Sequence, residues 1–176
     1  MRHQLPWQPL PATAPALLNQ LLTVRSSLTK KLEQLTGSSV AIDVRRNQLM
    51  LASSAENHFI DVAARQRIWL RDINLTIADE SWVLARTAIP YQPQHEIYRQ
   101  LSQFGEKPIG TFLFSHRDLQ RETLMYCCCD LKTLPFFQCF QDIPLPNKPI
   151  WARRSRFVLQ QLTFSVTEFF VHPCLW

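Results

Sequence analysis

The chain has 176 residues, 46% of them hydrophobic, which suits a domain with a buried core and excludes a disordered or fibrous protein. Its formal net charge is +5, but lysine and arginine are scattered rather than clustered, which argues against a nucleic-acid partner. No apolar run reaches the ~20 residues of a membrane span, and the N-terminus lacks the ~7–15 apolar residues of a secretion signal. We therefore expect a cytoplasmic protein without stable membrane insertion.

A proline-rich start precedes the first helical pattern, and we expect an extended lead-in over residues 1–14. Leucines at helical spacing predict a helix from Pro15 to about Val24. Ser26 or Ser27 is suited to cap a second helix, and Gly37 fits its C-terminal end. The sequence thus predicts a helical hairpin ahead of the sheet.

Strands with occasional helices follow. We predict a helix over Gln94–Phe104, a helix or strand ending at Cys129, and strands over Ser39–Val44, Arg67–Ile77, Trp82–Ile89, Arg154–Leu159 and Leu162–Val171. Residues 130–150 contain four prolines and several phenylalanines, which predicts an irregular excursion that folds back onto the domain. Because no βαβ unit repeats, we expect a single α+β domain over residues 1–176 with an antiparallel sheet.

The five cysteines, at positions 127, 128, 129, 139 and 174, are odd in number and show no CxxC spacing. A zinc site at Cys127, Cys129 and Cys139 is one interpretation. Small buried thiols in a reducing compartment are the interpretation that we favour, so we predict no metal site.

Charged residues interrupt the apolar faces of the predicted strands. On the first long strand, Arg71 shares its face with apolar side chains, because alternate residues of a strand point the same way. Pairing this strand with the next about the turn at residues 78–81 puts Ile73 opposite Arg86. In that register Arg71 and Arg86 are diagonal neighbours on one face.

The last strand has the opposite anomaly. Glu168 is the one charged residue in its apolar stripe, and the uncertain register leaves Arg153 or Ser155 across from it. Ion pairing inside the fold would explain any one of these charges. Three together favour an enclosed site for a small anion, and the planar fork of arginine indicates a carboxylic acid.

Five sequence blocks carry these residues in order along residues 24–173. They are RIWLRDI from Arg67, WVLARTAIP from Trp82, GEKPIGTFLF from Gly105, WARRSRF from Trp151 and LTFSVTEFF from Leu162. In this order they resemble the bacterial chorismate lyases. The resemblance implies about six antiparallel strands with helical flaps over a buried ligand.

The resemblance also implies an activity and the residues that carry it. The activity is conversion of chorismate to 4-hydroxybenzoate and pyruvate, an early step of ubiquinone biosynthesis, by a monomer without metal or redox cofactor. Arg71 and the backbone N–H of Ile109 would bind the ring carboxylate, and Leu28 would play a similar main-chain role. Glu168 would meet the ring hydroxyl. Arg86 would receive the enolpyruvyl carboxylate, so Arg71, Glu168 and Arg86 form the implied catalytic set.

A non-catalytic domain of similar fold is the main alternative. Effector domains of some transcription regulators hold small carboxylic acids without turning them over. The sequence shows no helix-turn-helix segment ahead of the domain, which we take as an argument for the enzyme.

Overall fold

The computed structural model describes residues 5–9 and 14–176. Their main feature is a six-stranded antiparallel sheet with strand order β1-β2-β3-β6-β5-β4. The strands are β1 (Ala41–Leu51), β2 (Arg67–Ile77), β3 (Glu80–Pro90), β4 (Gln120–Cys129), β5 (Ile150–Leu159) and β6 (Leu162–Phe170). The helices are α1 (Ala16–Leu22), α2 (Leu28–Thr36), α3 (Ser54–Phe59), α4 (Glu96–Ser102) and α5 (Ile109–Leu113). The predicted α+β fold with its antiparallel sheet is confirmed.

The predicted helical hairpin is present, and its caps explain its bounds. The Ser27 Oγ accepts a hydrogen bond from the Lys30 N–H at 3.4 Å at the start of α2. Gly37 ends the helix with φ +69°, a conformation that glycine adopts without strain. Of the predicted lead-in, residues 1–4 and 10–13 lie outside the described residues, and Gln8 pairs with Tyr126 of β4.

Helix α3 was not predicted, since six residues are too few to show helical periodicity. It begins with a capping box in which Ser53 and Glu56 bond each other's backbone N–H groups. Among the described residues no helix is both long and apolar enough to cross a membrane.

The hairpin of β2 and β3 contains a bulge that the sequence pattern did not reveal. Ala78 and Asp79 form its two-residue turn with φ values of 49° and 64°. Thr76 then pairs with Ser81, but Leu75 pairs with Val83, so Trp82 has no partner in the register. One extra residue in a strand reverses the faces of all side chains beyond it, relative to the partner strand.

The bulge separates the two arginines that were predicted to be neighbours. Arg71 pairs with Thr87, and Arg86 pairs with Asp72. The predicted register, with Ile73 opposite Arg86, is therefore wrong. Arg71 and Arg86 lie on opposite faces of the sheet, which we call the pocket face and the far face, respectively.

Different segments cover the two faces. Apolar residues of α1, α2, α4 and α5 pack on the pocket face. On the far face lie α3 and the excursion over residues 130–150, where Phe136 and Phe140 are 4% and 0% exposed. The prediction that these phenylalanines fold back onto the domain is confirmed. We refer to the α1–α2 and α4–α5 pairs as the flaps, and a pocket lies between them and the sheet.

Candidate active site

A pocket lies between the sheet and the flaps. All six strands contribute to its wall, β4 through Arg121. The first residues of α2 and α5 also line it. Of the predicted site residues, the pocket brings together Leu28, Arg71, Ile109 and Glu168. Its charged lining residues are Arg71, Arg121, Arg153 and Glu168, a net charge of +2 among the described residues.

Arg71 lies at the β2 side of the pocket and is 1% exposed. Its Nη2 donates to the carbonyl oxygens of Gly105 at 2.7 Å and Lys107 at 3.0 Å, and its Nε donates to Gly105 at 3.2 Å. No carboxylate among the described residues pairs with it. Burial lowers the pKa of Arg71 to about 10, so the side chain is cationic at neutral pH but poorly compensated.

Glu168 lies two strands away on β6 and pairs with Arg153, which resolves the alternative between Arg153 and Ser155. Arg153 donates from Nε and Nη2 to the two carboxylate oxygens of Glu168, at 2.5 and 3.1 Å. Its Nη1 donates to the carbonyl oxygens of Leu21 at 2.8 Å and Val24 at 2.9 Å, at the C-terminal end of α1. Arg153 thus orients Glu168 and ties the first flap to the sheet.

The flaps meet each other above the pocket. Leu28 and Ile109 are the first residues of α2 and α5, and the N–H groups of a first helical turn have no partner within the helix. A Cβ at Gly110 would lie 3.1 Å from the Ser27 Oγ, tighter than ordinary contact. Gly110 therefore permits the close approach that brings the two helix starts together.

Arg121 is the site residue that sequence reasoning missed. It lies on β4 next to a bulge, and its Nη1 donates to the Val24 carbonyl oxygen at 3.2 Å. The guanidinium lies over the rings of Phe157, at 4.8 Å, and Phe114, at 5.5 Å. Burial and then the charge of Arg153 lower the pKa of Arg121 to about 10. The described residues supply no carboxylate for it.

Arg86, in contrast, lies outside the pocket. Its Nε and Nη2 donate to the two carboxylate oxygens of Asp72 at 2.8 and 2.9 Å, and its Nη1 donates to Glu56 at 3.1 Å. Burial alone lowers the pKa of Arg86, but the two carboxylates outweigh that effect and raise it. The far-face position of Arg86 gives no support to its predicted contact with the enolpyruvyl carboxylate.

The cysteines do not contribute to the pocket. Cys127 and Cys129 are buried on the far face, and Cys139 is half-buried beside Arg46. Within the described ranges, no group of three or more histidine, cysteine, aspartate or glutamate side chains is arranged to hold a metal ion.

A pocket between a sheet and two flaps, with two arginines that form no ion pair with a described residue, is typical of a domain that binds a small carboxylic acid. The family model described as "Chorismate lyase" matches residues 2–176, and the chain belongs to this family. A "Probable chorismate pyruvate-lyase" of Marinobacter nauticus is 33% identical over 148 residues, 84% of this chain and 72% of that protein. A "Chorismate pyruvate-lyase" of Salmonella schwarzengrund is 30% identical over 162 residues, 92% of this chain and 86% of that protein.

Solved structures of similar fold include ligand-binding domains of regulators. The effector domain of PhnF from Mycobacterium smegmatis aligns with a TM-score of 0.57 at 14% identity, covering 83% of this chain and 88% of that one. The C-terminal domain of the histidine utilization repressor from Pseudomonas syringae aligns with a TM-score of 0.56 at 14% identity, covering 78% of this chain and 94% of that one. At such identities the likeness concerns the fold alone.

Proposed function

We propose that this protein is a lyase that converts chorismate to 4-hydroxybenzoate and pyruvate in the pocket between sheet and flaps. Family membership and the names of its relatives support the reaction. The observation that carries the assignment to this pocket is Arg71, a buried arginine without a carboxylate among the described residues, which faces the same cavity as Glu168. A cation at one end and a hydrogen-bond acceptor at the other fit a ring with a carboxylate and a hydroxyl in para positions.

The sheet sets the spacing of these two groups. Arg71 is on β2 and Glu168 is on β6, so their backbones are about 10 Å apart across the strands. They pair with Thr87 and Ala85 of β3, respectively, which adds an offset of two residues, or about 7 Å, along the strands. In the proposed pose the ring lies over the small side chains of Ala85 and Thr87, with its carboxylate on Arg71 and its hydroxyl on Glu168. The N–H groups of Leu28 and Ile109 are the further donors proposed for the ring carboxylate.

The reaction needs little from the protein beyond positioning. The ether bond at ring C3 breaks with its electron pair leaving on the enolpyruvyl oxygen, C4 loses its hydrogen as a proton, and the ring becomes aromatic. The released enolpyruvate takes up one proton at its methylene carbon and becomes pyruvate. Aromatisation supplies much of the driving force. The proposed role of the pocket is to hold the reactive conformer and to place fixed positive charge where the leaving group develops negative charge.

Turnover of chorismate tests the proposal directly. Purified protein is incubated with chorismate, and pyruvate and 4-hydroxybenzoate are measured separately. We expect both products in equal amounts. The fold neighbours make a non-catalytic binding domain the second candidate, because two of them are effector or regulator domains. Tight binding of 4-hydroxybenzoate without any release of pyruvate would favour that candidate and contradict the enzyme.

We further propose that turnover requires no metal or redox cofactor. The two products together contain all atoms of chorismate, and the elimination involves no net oxidation. Exhaustive treatment with a chelator, followed by removal of the chelator, should leave the rate unchanged. Loss of activity that zinc restores would contradict this. We also propose that the protein is a cytoplasmic monomer. Mass measurement in solution tests the monomer.

A further inference from the structure

We propose that Arg121 binds the carboxylate of the enolpyruvyl group and is thereby a second catalytic residue of the pocket. The inference rests on the proposed function, since it presumes that the substrate is chorismate. It assigns to Arg121 the contact that the resemblance implied for Arg86.

The charges of the pocket support a dianionic ligand. Three arginines and one glutamate line it, a net charge of +2 among the described residues. Arg153 is fully used, because its three nitrogens donate to Glu168 and to the carbonyl oxygens of α1. Arg71 and Arg121 remain without carboxylate partners in the described part of the chain, and chorismate carries two carboxylates. Burial of an uncompensated cation is costly, so a ligand with two anionic groups is the natural complement.

The order of residues across the sheet agrees with the order of groups on the substrate. Arg71 lies on β2 and Glu168 lies on β6. Arg121 lies on β4, which is the edge strand on the side of the sheet away from β2. If the ring carboxylate is on Arg71 and the C4 hydroxyl is on Glu168, the C3 substituent projects from the ring beside Glu168. Directly across β5 from Glu168, β4 carries Tyr126, and the backbone of Arg121 lies further along the strands, opposite Phe157. The Arg121 guanidinium nevertheless reaches the Glu168 end of the pocket, because its Nη1 and the Nη1 of Arg153 donate to the same Val24 carbonyl oxygen.

The guanidinium of Arg121 lines the pocket with donors for which the described residues supply no acceptor beyond the Val24 carbonyl oxygen. Two aromatic rings, of Phe114 and Phe157, hold its plane, and the Val24 carbonyl oxygen accepts from one nitrogen. The Nε is buried and has no hydrogen-bond partner in the described ranges. Burial and the charge of Arg153 lower the pKa of Arg121 to about 10, and the opposing charge of Glu168 compensates the cation only in part.

A structural role for Arg121 is the rival interpretation, because its bond to Val24 reaches the loop between α1 and α2. The experiment must therefore separate contact with the second carboxylate from support of the flap. A matched pair of unreactive probes does so: 3-(carboxymethoxy)-4-hydroxybenzoate, a diacid, and 3-ethoxy-4-hydroxybenzoate, a monoacid of similar shape. We call the ratio of the monoacid Kd to the diacid Kd the diacid preference. Because the two probes differ in the second carboxylate, this ratio reports the contribution of that group to binding.

The variants are Arg121→Met, Arg121→Lys and, as control, Arg156→Met. Arg156 is on the neighbouring strand β5 but pairs with Asp61 and Glu122 outside the pocket. We expect Arg121→Met to lower the diacid preference about 10-fold or more, the usual effect of losing a charge-assisted hydrogen bond, while Arg156→Met leaves it within about twofold. Arg121→Lys should keep part of the preference, because it retains the charge and loses the fork.

Turnover and product binding complete the test. With chorismate, Arg121→Met should lower kcat/KM about 100-fold while the Kd of 4-hydroxybenzoate changes less than about threefold. An unchanged diacid preference in Arg121→Met would overturn the role of Arg121, even if the wild-type protein turns chorismate over. Equal losses of affinity for the diacid, the monoacid and the product would do the same. A wild-type protein that binds the diacid through Arg121 without turnover would refute the lyase instead, so the two failures are distinguishable.

Discussion

The two faces of the sheet hold buried charge in different ways. On the far face, Arg86 lies between the carboxylates of Asp72 and Glu56, and their charges raise its pKa despite burial. On the pocket face, Arg71 and Arg121 have no carboxylate among the described residues, and burial lowers the pKa of each to about 10. Paired charges stabilise the fold, whereas buried cations without an internal counter-charge mark the place of an anionic ligand.

A lowered pKa does not by itself identify a ligand site. Burial also lowers the pKa of Arg154 to about 10, yet this residue is on the far face and does not line the pocket. Its guanidinium lies 3.7 Å from the centre of the Phe59 ring, and the charge of Glu56 partly compensates it. The pocket arginines differ because they also face a cavity.

The largest expected effect concerns the far face. Asp72→Asn removes the fully buried carboxylate that Arg86 and Arg46 share, and it leaves two cations poorly compensated. We expect the free energy of unfolding, measured in urea, to fall by about 3–5 kcal/mol. Activity per folded molecule should persist, because no contact to the pocket is lost.

Asp43→Asn is the matched control for Asp72. Asp43 is an exposed carboxylate paired with Arg45 on the surface of β1, and its loss should cost less than about 1 kcal/mol. An Asp72→Asn variant as stable as this control, or one that is folded but inactive, would break the distinction between the two faces.

Glu168→Gln should affect both function and stability. Removing the carboxylate that orients the C4 hydroxyl should lower turnover about 100-fold, roughly 3 kcal/mol of transition-state stabilisation. It also leaves the buried guanidinium of Arg153 without its ion pair, so the melting temperature should fall. A destabilised variant with full activity per folded molecule would assign Glu168 to the fold alone.

Arg71→Met should weaken ligand binding with little change in stability. Burial lowers the pKa of Arg71 to about 10, which corresponds to a penalty on the order of 3 kcal/mol for the charged form. Three hydrogen bonds to Gly105 and Lys107 offset most of that penalty, at about 1 kcal/mol each. We expect the free energy of unfolding of Arg71→Met to stay within about 1 kcal/mol of the wild-type value. The Kd for 4-hydroxybenzoate, measured by calorimetry, should rise about 30-fold. A variant that unfolds easily and still binds product normally would contradict this.

The smallest expected effect is a pH dependence. A bound carboxylate favours the charged form of Arg71, so affinity is constant while that side chain is protonated and falls as pH rises through its pKa of about 10. Benzoate is the suitable probe, because it has no phenol to titrate. Its affinity should be level below about pH 9 and should decline above about pH 10. In Arg71→Met this decline should disappear; a decline of the same size there would assign it to another group.

The sequence predicted β2 and the end of α2 well, because β2 has clear alternation and Gly37 is a strong terminator. It ended β1 at Val44, although that strand continues to Leu51, and it left the segment of β4 open between helix and strand. It also located Arg71 and Glu168, since each interrupts an apolar stripe. It misplaced Arg86, because a bulge at Trp82 depends on tertiary packing and has no marker in the pattern. Arg121 escaped notice for another reason: it lies in a polar run, Gln-Arg-Glu-Thr, where one more charge carries no signal.

The most direct test of this account is a crystal structure of the protein with 4-hydroxybenzoate. We predict the ligand in the pocket between sheet and flaps, its carboxylate within hydrogen-bond distance of the Arg71 guanidinium and the N–H groups of Leu28 and Ile109, and its hydroxyl on Glu168. Density for the ligand on the far face beside Arg86, or a reversed ring with its hydroxyl on Arg71, would contradict the account.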